Sequence, residues 1–349
     1  MNFKERDINS SSTILDALKQ MDVIEKKLLI VLKNHQFLGL LSIGDVQRAI
    51  IKSTDLNTPI ESIIRQNIRY ADESMSIKEI KNLMLYYRME LCPVIDENRH
   101  LKEVYFWEDL FENTSIKYST FNLPVVIMAG GYGTRLKPTT NVIPKPLIPL
   151  KGKTMLEEIF DRFHRHGCNN FYISVNYKSD LIEYYLNTLN LPFRTNCFLE
   201  EKPLGTAGSL HLLKGQITET FFVSNCDILI EDDYSNILDY HRSNKNEITL
   251  VAAMKHFPIS YGTLETGVDG QLIELKEKPE LILKINSGMY ILEPHLIEEI
   301  PENEFFHITH LIEKIMKRKG KVGVFPISEK SWIDMGTFSE YLKFLQNEQ

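Results

Sequence analysis

A glycine-rich turn directly after an apolar run is the stretch of this sequence best suited to hold phosphate. Residues 125–128 read Val-Val-Ile-Met, a pattern typical of a buried strand. Gly130, Gly131 and Gly133 follow at once, and Arg135 comes two residues later. Glycines leave backbone N–H groups open to an anion, and a guanidinium adds donors matched to phosphate oxygens. The spacing therefore predicts a cradle for a triphosphate, with an ordinary glycine-rich turn as the alternative.

Two commoner phosphate-binding loops do not fit this sequence. A Walker loop ending at residues 152–154, Gly-Lys-Thr, would need a glycine where Leu147 stands. The dinucleotide fingerprint would need a third glycine where Leu136 stands. Lys145, held between two prolines of fixed φ, instead supplies a positive charge on a stiff backbone.

A single acid after a later apolar run is a candidate metal ligand. Residues 221–227 read Phe-Phe-Val-Ser-Asn-Cys-Asp and end in Asp227. A carboxylate at the carboxyl end of a strand is well placed for a hard cation such as Mg²⁺. Taken alone, such an acid is more often a helix cap or a surface charge.

Length and composition place the chain among soluble globular proteins. Its 349 residues predict two domains, and 43% hydrophobic and 25% charged residues are ordinary values. A net charge of −7 with dispersed lysines argues against a nucleic-acid or anionic-membrane surface. The polar start of the chain is not a signal peptide, no apolar run is long enough for a membrane span, and the four cysteines show no metal or disulfide spacing. We expect a cytoplasmic protein with reduced thiols.

The pattern of predicted helices and strands changes near residue 118. Residues 1–118 contain a weak internal repeat in which a helix and two strands lead into a further helix. Residues 112–123 are polar and Ser/Thr-rich, as in a linker. Residues 119–349 alternate strand-like runs with helical stretches, among them 155–165, 179–189, 208–213 and 234–243. This alternation predicts an α/β domain with a Rossmann-like, mostly parallel mixed sheet and helices on both faces.

The glycine turn and the Pro-Lys-Pro segment resemble the signature of the sugar-1-phosphate nucleotidyltransferases. Further motifs of that family recur in order over roughly residues 123–338. The resemblance implies a GT-A-like nucleotidyltransferase fold. It also implies attack of a sugar 1-phosphate on a nucleoside triphosphate, which gives a nucleoside-diphosphate sugar and pyrophosphate.

The resemblance also implies a role for each matching residue. Residues on the phosphates and the metal would be Arg135, Lys145, Lys278 and Asp227, with Asp334 as the second ligand of Mg²⁺. Nucleotide-binding residues would be Met128, Ala129, Gly130, Gly131, Gly133, Thr134, Glu200, Gly205, Thr206 and Ala207. Sugar-binding residues would be Tyr261, Gly262, Glu277 and Asn286. The structural alternatives are a helix N-cap at Thr206 and a solvated charged turn at residues 277–278.

Residues 1–118 resemble a pair of cystathionine-β-synthase (CBS) repeats, which would form an α+β domain. The resemblance implies an adenine-nucleotide site at Ser42 and Asp45, and a homodimer or higher homo-oligomer. In the second copy Phe106 replaces the expected hydroxyl residue, although Asp109 matches the acid. The alternative for Ser42 and Asp45 is an N-cap and a first-turn acid of the helix that follows.

The sequence is less specific about the nucleotide base and the sugar. The loop at residues 200–208, two acids followed by Lys-Pro-Leu-Gly-Thr-Ala-Gly, looks most like that of guanylyltransferases, so GTP is favoured. CBS repeats joined to this domain suggest the branch that makes GDP-amino sugars from glucosamine 1-phosphate for nonulosonic acids such as legionaminic acid. Uridylyl, cytidylyl or thymidylyl transfer and a non-catalytic nucleotide sensor remain the alternatives.

Overall fold

The chain forms two compact units, Met1–Lys117 and Tyr118–Gln349. The computed structural model describes residues 3–65, 68–87, 89–110, 119–150 and 152–346, without the side chains of residues 3, 85, 108 and 109. The side chain of Asp109, the acid of the second repeat, lies outside the described residues. Within them, no helix is both long enough and apolar enough to cross a bilayer.

The first unit consists of two halves with the same plan. Each half has a three-stranded sheet in which the first pair of strands is parallel and the second is antiparallel. The first half comprises β1 (Asp7–Asn9), α1 (Ile14–Ile24), β2 (Leu28–Lys33), β3 (Gln36–Ser42) and α2 (Ile43–Ile51). The second comprises β4 (Ala71–Asp72), α3 (Ile77–Tyr87), β5 (Leu91–Ile95), β6 (Leu101–Phe106) and α4 (Trp107–Leu110). The structure thus contains the repeat that the sequence predicted.

The two halves share one apolar core. Ile30 and Phe37 of the first sheet pack with Leu91, Val104 and Phe106 of the second. Each of these side chains is at most 7% exposed, and burial of this apolar surface stabilises the packing of one half on the other. The repeat therefore folds as one unit rather than as two.

The second unit is built on a seven-stranded mixed sheet. Its order is β11-β10-β7-β12-β17-β14-β18, and β17 alone runs antiparallel to both of its neighbours. The strands of this sheet are β7 (Val125–Met128), β10 (Asn170–Val175), β11 (Arg194–Leu199), β12 (Phe221–Asn225), β14 (Ile248–Pro258), β17 (Glu280–Leu292) and β18 (Val322–Ser328). The predicted mostly parallel mixed sheet is present.

Short two-stranded ribbons and helices complete this unit. The ribbons pair β8 (Pro149–Leu150) with β9 (Lys153–Thr154), β13 (Ile228–Ile230) with β19 (Trp332–Asp334), and β15 (Thr263–Thr266) with β16 (Leu272–Lys276). The helices are α5 (Met155–His164), α6 (Ser179–Thr188), α7 (Gly205–Gly208), α8 (Tyr234–Asn244), α9 (Ile308–Lys317) and α10 (Phe338–Gln346). The helical stretch predicted over residues 208–213 is present as the end of α7 and a 3₁₀ helix over Ser209–Leu213.

The core lies on both faces of the central strands. Val126 and Val223 on one face pack with residues of α9 such as Leu311, while Phe222 on the other face meets Phe163 of α5. Strands buried on both faces read as unbroken apolar runs. This is why residues 125–128 are recognisable as a strand in the sequence, and why the loops at the carboxyl ends of these strands are held firmly.

Candidate active site

The glycine turn leaves the carboxyl end of β7 and is fixed by backbone and side-chain hydrogen bonds. The N–H of Ala129 donates to the carbonyl of Ser174 at 3.0 Å, which keeps the turn beside β10. Gly133 has a φ of 63° and its carbonyl accepts from the Thr140 hydroxyl at 2.8 Å. A Cβ on Gly133 would lie 2.8 Å from the Thr140 methyl group. Gly133 is therefore required both by its left-handed backbone and by the closeness of Thr140.

Lys145 and Asp227 form a largely buried ion pair. The Lys145 ammonium donates directly to Oδ2 of Asp227, and the two side chains are only 10% and 12% exposed. Prolines 144 and 146 and a 3₁₀ turn over Lys145–Leu147 fix the backbone from which the lysine extends. The predicted phosphate-binding lysine and the predicted metal ligand are thus in direct contact.

Asp334 lies beside Asp227 because β13 and β19 pair antiparallel. The N–H of Met335 donates to the backbone oxygen of Asp227 at 2.8 Å. A Cβ on Gly336 would lie 2.8 Å from Oδ1 of Asp334, 3.3 Å from Oδ2 of Asp227 and 3.5 Å from Nη2 of Arg135. Three side chains that are distant in the sequence therefore converge on one glycine.

The two carboxylates suit a divalent cation. Burial, reinforced by the neighbouring charge of Asp227, raises the pKa of Asp334 above its usual value, although a hydrogen bond from the Gly336 N–H opposes the shift. Two acids brought together against this electrostatic penalty are a typical donor set for Mg²⁺, which prefers carboxylate oxygens. Asp227 and Asp334 are thus able to hold the predicted metal.

Glu200 is buried between the glycine turn and the loop that follows β11. Its carboxylate accepts from the Ser174 hydroxyl and, at 3.0 Å, from the N–H of Leu204, and the residue is 4% exposed. A Cβ on Gly130 would lie 2.6 Å from Oε1 of Glu200. This carboxylate therefore ties two predicted nucleotide-binding segments to one another.

The base loop, residues 200–208, is attached to a helix distant in the sequence. The Thr206 hydroxyl accepts from the N–H of Ile308 at 3.0 Å, at the first turn of α9. Gly205 has a φ of 82°, and a Cβ there would lie 2.8 Å from the carbonyl oxygen of Phe306. The N-cap of α7 is Leu204, not Thr206, so Thr206 caps a different helix from the one suggested by its sequence position.

The remaining nucleotide-binding candidates lie beside these segments. Met128 ends β7 and is half-buried, and Thr134 begins the 3₁₀ turn that carries Arg135. Gly131 is exposed, and a Cβ there would contact nothing within 4 Å. Ala207 is fully buried in the core, so its contribution is to close packing of the loop.

The sugar-binding candidates form a second group, on an extension of β14 and β17. Tyr261, Glu277 and Lys278 have exposed side chains, and Lys278 has a φ of 46°. A Cβ on Gly262 would lie 3.0 Å from Oε2 of Glu277. The absence of a side chain on Gly262 thus leaves room for the carboxylate of Glu277.

Asn286 belongs to a segment that lies against Asn225, close in sequence to Asp227. Its amide donates to the hydroxyl of Tyr290 at 2.8 Å and accepts from the N–H of Gly288 at 3.1 Å. A Cβ on Gly288 would lie 2.6 Å from Nδ2 of Asn225, two residues before Asp227. Asn286 is therefore held in one orientation in the strand that pairs with β12, and the predicted metal ligand Asp227 follows β12 by two residues.

Sequence reasoning missed the residues that hold these groups in place. Thr140, Ser174, Tyr290 and Trp332 are among them. Trp332 was visible two residues before Asp334, but nothing in the sequence indicates that its indole N–H reaches the carbonyl of Ser287.

The predicted ligand residues of the first unit form a helix cap. Ser42 accepts from the N–H of Asp45, and Asp45 accepts from the N–H of Ser42, a reciprocal capping box at the start of α2. Arg48 and Arg65 both donate to Oδ1 of Asp45. Burial acts to raise the pKa of Asp45, but the hydrogen bonds from Ser42 and Arg65 outweigh it and lower the pKa. These contacts are those of an N-cap and a first-turn acid, which is the structural alternative to an adenine-nucleotide site.

A separate cluster of Glu247, His295 and Glu299 has the spacing of a metal site but is already paired. Arg318 donates to both Glu247 and Glu299, and His295 contacts Glu247 at 2.9 Å. Arg318, together with Lys314 on Glu299, thus engages these acids in an ion-pair network.

Comparison with known proteins identifies the family. The nucleotidyl transferase family model matches residues 124–349. The chain therefore belongs to the nucleotidyl transferase family, as the resemblance predicted.

Curated relatives carry guanylyltransferase names. The mannose-1-phosphate guanylyltransferase catalytic subunit beta of Xenopus tropicalis is 31% identical over 228 residues, 63% of each chain. The mannose-1-phosphate guanylyltransferase of Mycobacterium tuberculosis is 28% identical over 230 residues, 64% of each chain. The chain thus spans less than two thirds of the length of these relatives.

Solved structures match the same part of the chain. The crystal structure of HddC from Yersinia pseudotuberculosis is 28% identical with a TM-score of 0.51, covering 65% of this chain and all of that one. The same protein in complex with GMP-PN is 26% identical, also with a TM-score of 0.51.

Proposed function

We propose that this chain transfers a guanylyl group from GTP to a sugar 1-phosphate, with Mg²⁺, and releases pyrophosphate. The observation that carries the proposal is the convergence of Arg135, Lys145, Asp227 and Asp334 at the carboxyl ends of the central strands. Open α/β sheets bind their ligands at this edge. Two cations and two metal-binding acids at one point meet the needs of a reaction between two polyanions.

The chemistry is a displacement at the α-phosphorus. A phosphate oxygen of the sugar 1-phosphate forms the new P–O bond, the bond between the α-phosphorus and the bridging oxygen to the β-phosphate breaks, and pyrophosphate leaves with that electron pair. The attacking oxygen is already an anion, so no general base is required. When bound, Mg²⁺ on Asp227 and Asp334 supplies charge neutralisation at the phosphates.

The protein groups position and neutralise the reactants. The open N–H groups of the glycine turn face the triphosphate, and Arg135 donates to its oxygens. Lys145 is held by Asp227 close to the same point, so its charge is in place before the substrates arrive. Lys278, on the ribbon that carries Glu277, receives the phosphate of the sugar substrate.

GTP is supported by the names of the relatives and by the loop at residues 200–208. The sugar is supported less directly. A first unit with two like halves, which we propose is a CBS pair, precedes the transferase unit, and this architecture favours glucosamine 1-phosphate over mannose 1-phosphate. The exposed Glu201 beside the buried Glu200 offers an acceptor for the N–H edge of guanine.

The test is release of pyrophosphate by the full chain with Mg²⁺. Each of GTP, UTP, CTP, dTTP and ATP is combined with glucosamine-, mannose- and glucose-1-phosphate, and we expect turnover with GTP. Turnover only with another triphosphate would replace the base assignment. A folded protein that binds nucleotide but releases no pyrophosphate with any pair would favour the non-catalytic sensor.

Two ion pairs, one inside the assigned site and one outside it, test the assignment. We expect Lys145→Ala and Asp227→Ala to lower turnover at least 100-fold, the effect of removing a group that stabilises transition-state charge. Lys153 and Asp161 form an equally close ion pair, but their side chains are 49% and 43% exposed. Lys153→Ala and Asp161→Ala should therefore leave turnover near the wild-type value. Near-normal turnover in the first two variants would show that the site lies elsewhere.

A further inference from the structure

The three residues that connect β10 to α6 are not used by the proposed mechanism, yet their side chains contact both loops expected to hold the nucleotide. β10 ends at Val175 and α6 begins at Ser179, so residues 176–178 lie at the carboxyl end of the strand. We call these three residues the bridge segment. Open α/β sheets bind their ligands at this edge, which places the bridge segment next to the nucleotide-binding candidates.

Asn176 attaches the bridge segment to the base loop. Its side-chain Nδ2 donates to the backbone oxygen of Glu200 at 2.6 Å. The N–H of Glu200 in turn donates to the carbonyl of Val175 at 2.8 Å. The first residue of the base loop is therefore held through both of its backbone polar groups, in addition to the contacts of its carboxylate.

Lys178 attaches the bridge segment to the loop that follows the glycine turn. Its ammonium donates to the carbonyl oxygens of Asn141 and Val142 at 2.6 Å and 2.7 Å. These carbonyls lie at the end of a 3₁₀ turn over Thr139–Asn141, where the last carbonyl groups have no acceptor role within the turn itself. A lysine is well suited to satisfy them, because its positive charge strengthens both hydrogen bonds.

Tyr177 adds two contacts on the same side. Its hydroxyl donates to the carbonyl of Thr140 at 3.3 Å. Its ring packs against the ring of Tyr132, with the two centroids 5.4 Å apart. Since Tyr132 belongs to the glycine turn, the bridge segment contacts the turn itself as well as the loop behind it.

We propose that the bridge segment fixes the spacing between the base loop and the glycine turn, with Asn176 and Lys178 as positioning residues for the nucleotide. This role rests on the proposed function, in which the two loops hold the base and the triphosphate of one GTP. A ligand that touches both loops fits only when they lie at the spacing of its base and its phosphates. Holding that spacing before the ligand arrives removes a cost of ordering and so strengthens binding.

Glu200 and the bridge segment hold different parts of the glycine turn. The carboxylate of Glu200 lies against Gly130 at the start of the turn. The bridge segment contacts Tyr132 and residues 140–142, further along the chain. The sugar-binding candidates follow β14 or belong to β17 and the residues before it, so we expect the bridge segment to affect GTP more than the sugar phosphate.

The test is calorimetric titration of the full chain with GTP, together with steady-state kinetics. K178M keeps the length of the side chain but removes its charge, and N176A removes the amide. We expect each variant to weaken GTP binding about fivefold, the effect of losing a hydrogen bond. The KM for the sugar phosphate should stay within twofold. K178R retains a charged donor and should recover most of the affinity.

The double variant N176A/K178M distinguishes one bridge from two independent attachments. If the segment acts as a bridge, breaking either end already releases the spacing of the two loops. The double variant should then bind GTP within twofold of the weaker single variant. Independent attachments would instead multiply their effects to about 25-fold, and that result would overturn the proposal.

Lys319 provides a matched control for Lys178. The two lysines share a left-handed backbone, with φ values of 63° and 57°. The exposed side chain of Lys319 makes no hydrogen bond or ion pair within the described part of the chain. K319M should therefore bind GTP with the affinity of wild type.

The results also separate the bridge from folding and from the proposed function. If K178M loses its cooperative thermal transition, Y177F replaces it, since the Tyr177 hydroxyl holds the same loop, and about threefold weaker GTP binding is expected. Wild-type affinity in both single variants would overturn the bridge and leave the proposed function standing. A wild type that binds GTP but transfers no guanylyl group, with the expected losses in the variants, would do the reverse. A wild type that binds no nucleotide would refute both.

Discussion

Trp332 donates a hydrogen bond from its indole Nε1 to the backbone oxygen of Ser287 at 3.1 Å. Trp332 begins β19, which ends at Asp334, and Ser287 follows Asn286 in β17. This single contact joins the segment expected to bind the sugar to the segment expected to hold the metal.

Replacing Trp332 with Phe should weaken sugar binding more than nucleotide binding. The ring remains, but the carbonyl of Ser287 loses its donor, which costs about 1 kcal/mol and corresponds to about a fivefold change. We expect the KM for the sugar phosphate to rise about fivefold while the KM for GTP stays within twofold. Steady-state pyrophosphate release, with each substrate varied in turn, measures both. Equal changes in the two values would mean that the contact serves only folding.

Replacing Thr140 with Val should lower turnover through Lys145. Valine keeps the shape of the buried side chain but removes one of two donors to the carbonyl of Gly133, which still accepts from the N–H of Leu136. Losing one such hydrogen bond costs about 0.5–1.5 kcal/mol. The turn between Gly133 and Lys145 then loses a fixed point, and we expect kcat to fall about tenfold. T140S keeps the hydroxyl and should recover most of the activity. If T140S were as impaired as T140V, packing rather than the hydrogen bond would be the cause.

Alanine at Gly130 and at Gly131 should have different effects. A Cβ on Gly130 would clash with Glu200, whereas one on Gly131 contacts no atom of the described protein within 4 Å. We therefore expect G130A to lower the melting temperature and G131A to leave it unchanged. If the nucleotide lies against this turn, G131A should still weaken GTP binding. Calorimetric titration with GTP and a thermal melt of each variant measure the two effects separately.

Acid should unfold the second unit in part through Glu247. Hydrogen bonds from Arg318, and a weaker one from His295, lower the pKa of Glu247 from 4.5 to about 2 although burial opposes the shift. A lowered pKa means that the folded state binds this proton less readily, so the stabilisation is present above pH 4.5 and is lost as the pH falls to about 2. E247Q should melt at a lower temperature at pH 7 and lose less stability over that interval. E313Q, an exposed acid on α9, is the control and should follow the wild-type curve.

The motifs of the site that consist of consecutive residues could be predicted from sequence. The contacts that bring these motifs together could not. The glycine turn is recognisable because strand, glycines and arginine are consecutive. Asp227 comes two residues after the buried strand β12, so its place at the edge of the sheet also follows from local pattern. That Asp334 lies beside it depends on the pairing of β13 with β19, a contact between segments about a hundred residues apart. Before the structure, only the resemblance to a family indicated that Asp227 and Asp334 belong to one site.

Residues that position others are hard to find because their partners determine their role. Thr206 has the sequence context of an N-cap, yet its hydroxyl accepts from a helix 102 residues away. The helical stretch expected over residues 208–213 is present, but the hydrogen bonds from Ala207 and Gly208 to the carbonyl of Phe306 could not be predicted. In both cases the contact joins segments about a hundred residues apart, which local sequence does not show.

The hydrogen bond between Thr206 and Ile308 offers a natural spectroscopic reporter. The N–H of Ile308 lies at the start of a helix distant in the sequence from the glycine turn, but its acceptor belongs to the loop expected to hold the base. Its amide resonance should therefore shift when a nucleotide orders that loop. Its exchange with deuterium should slow at the same time. One backbone amide can thus record occupancy of the nucleotide site without any label on the ligand.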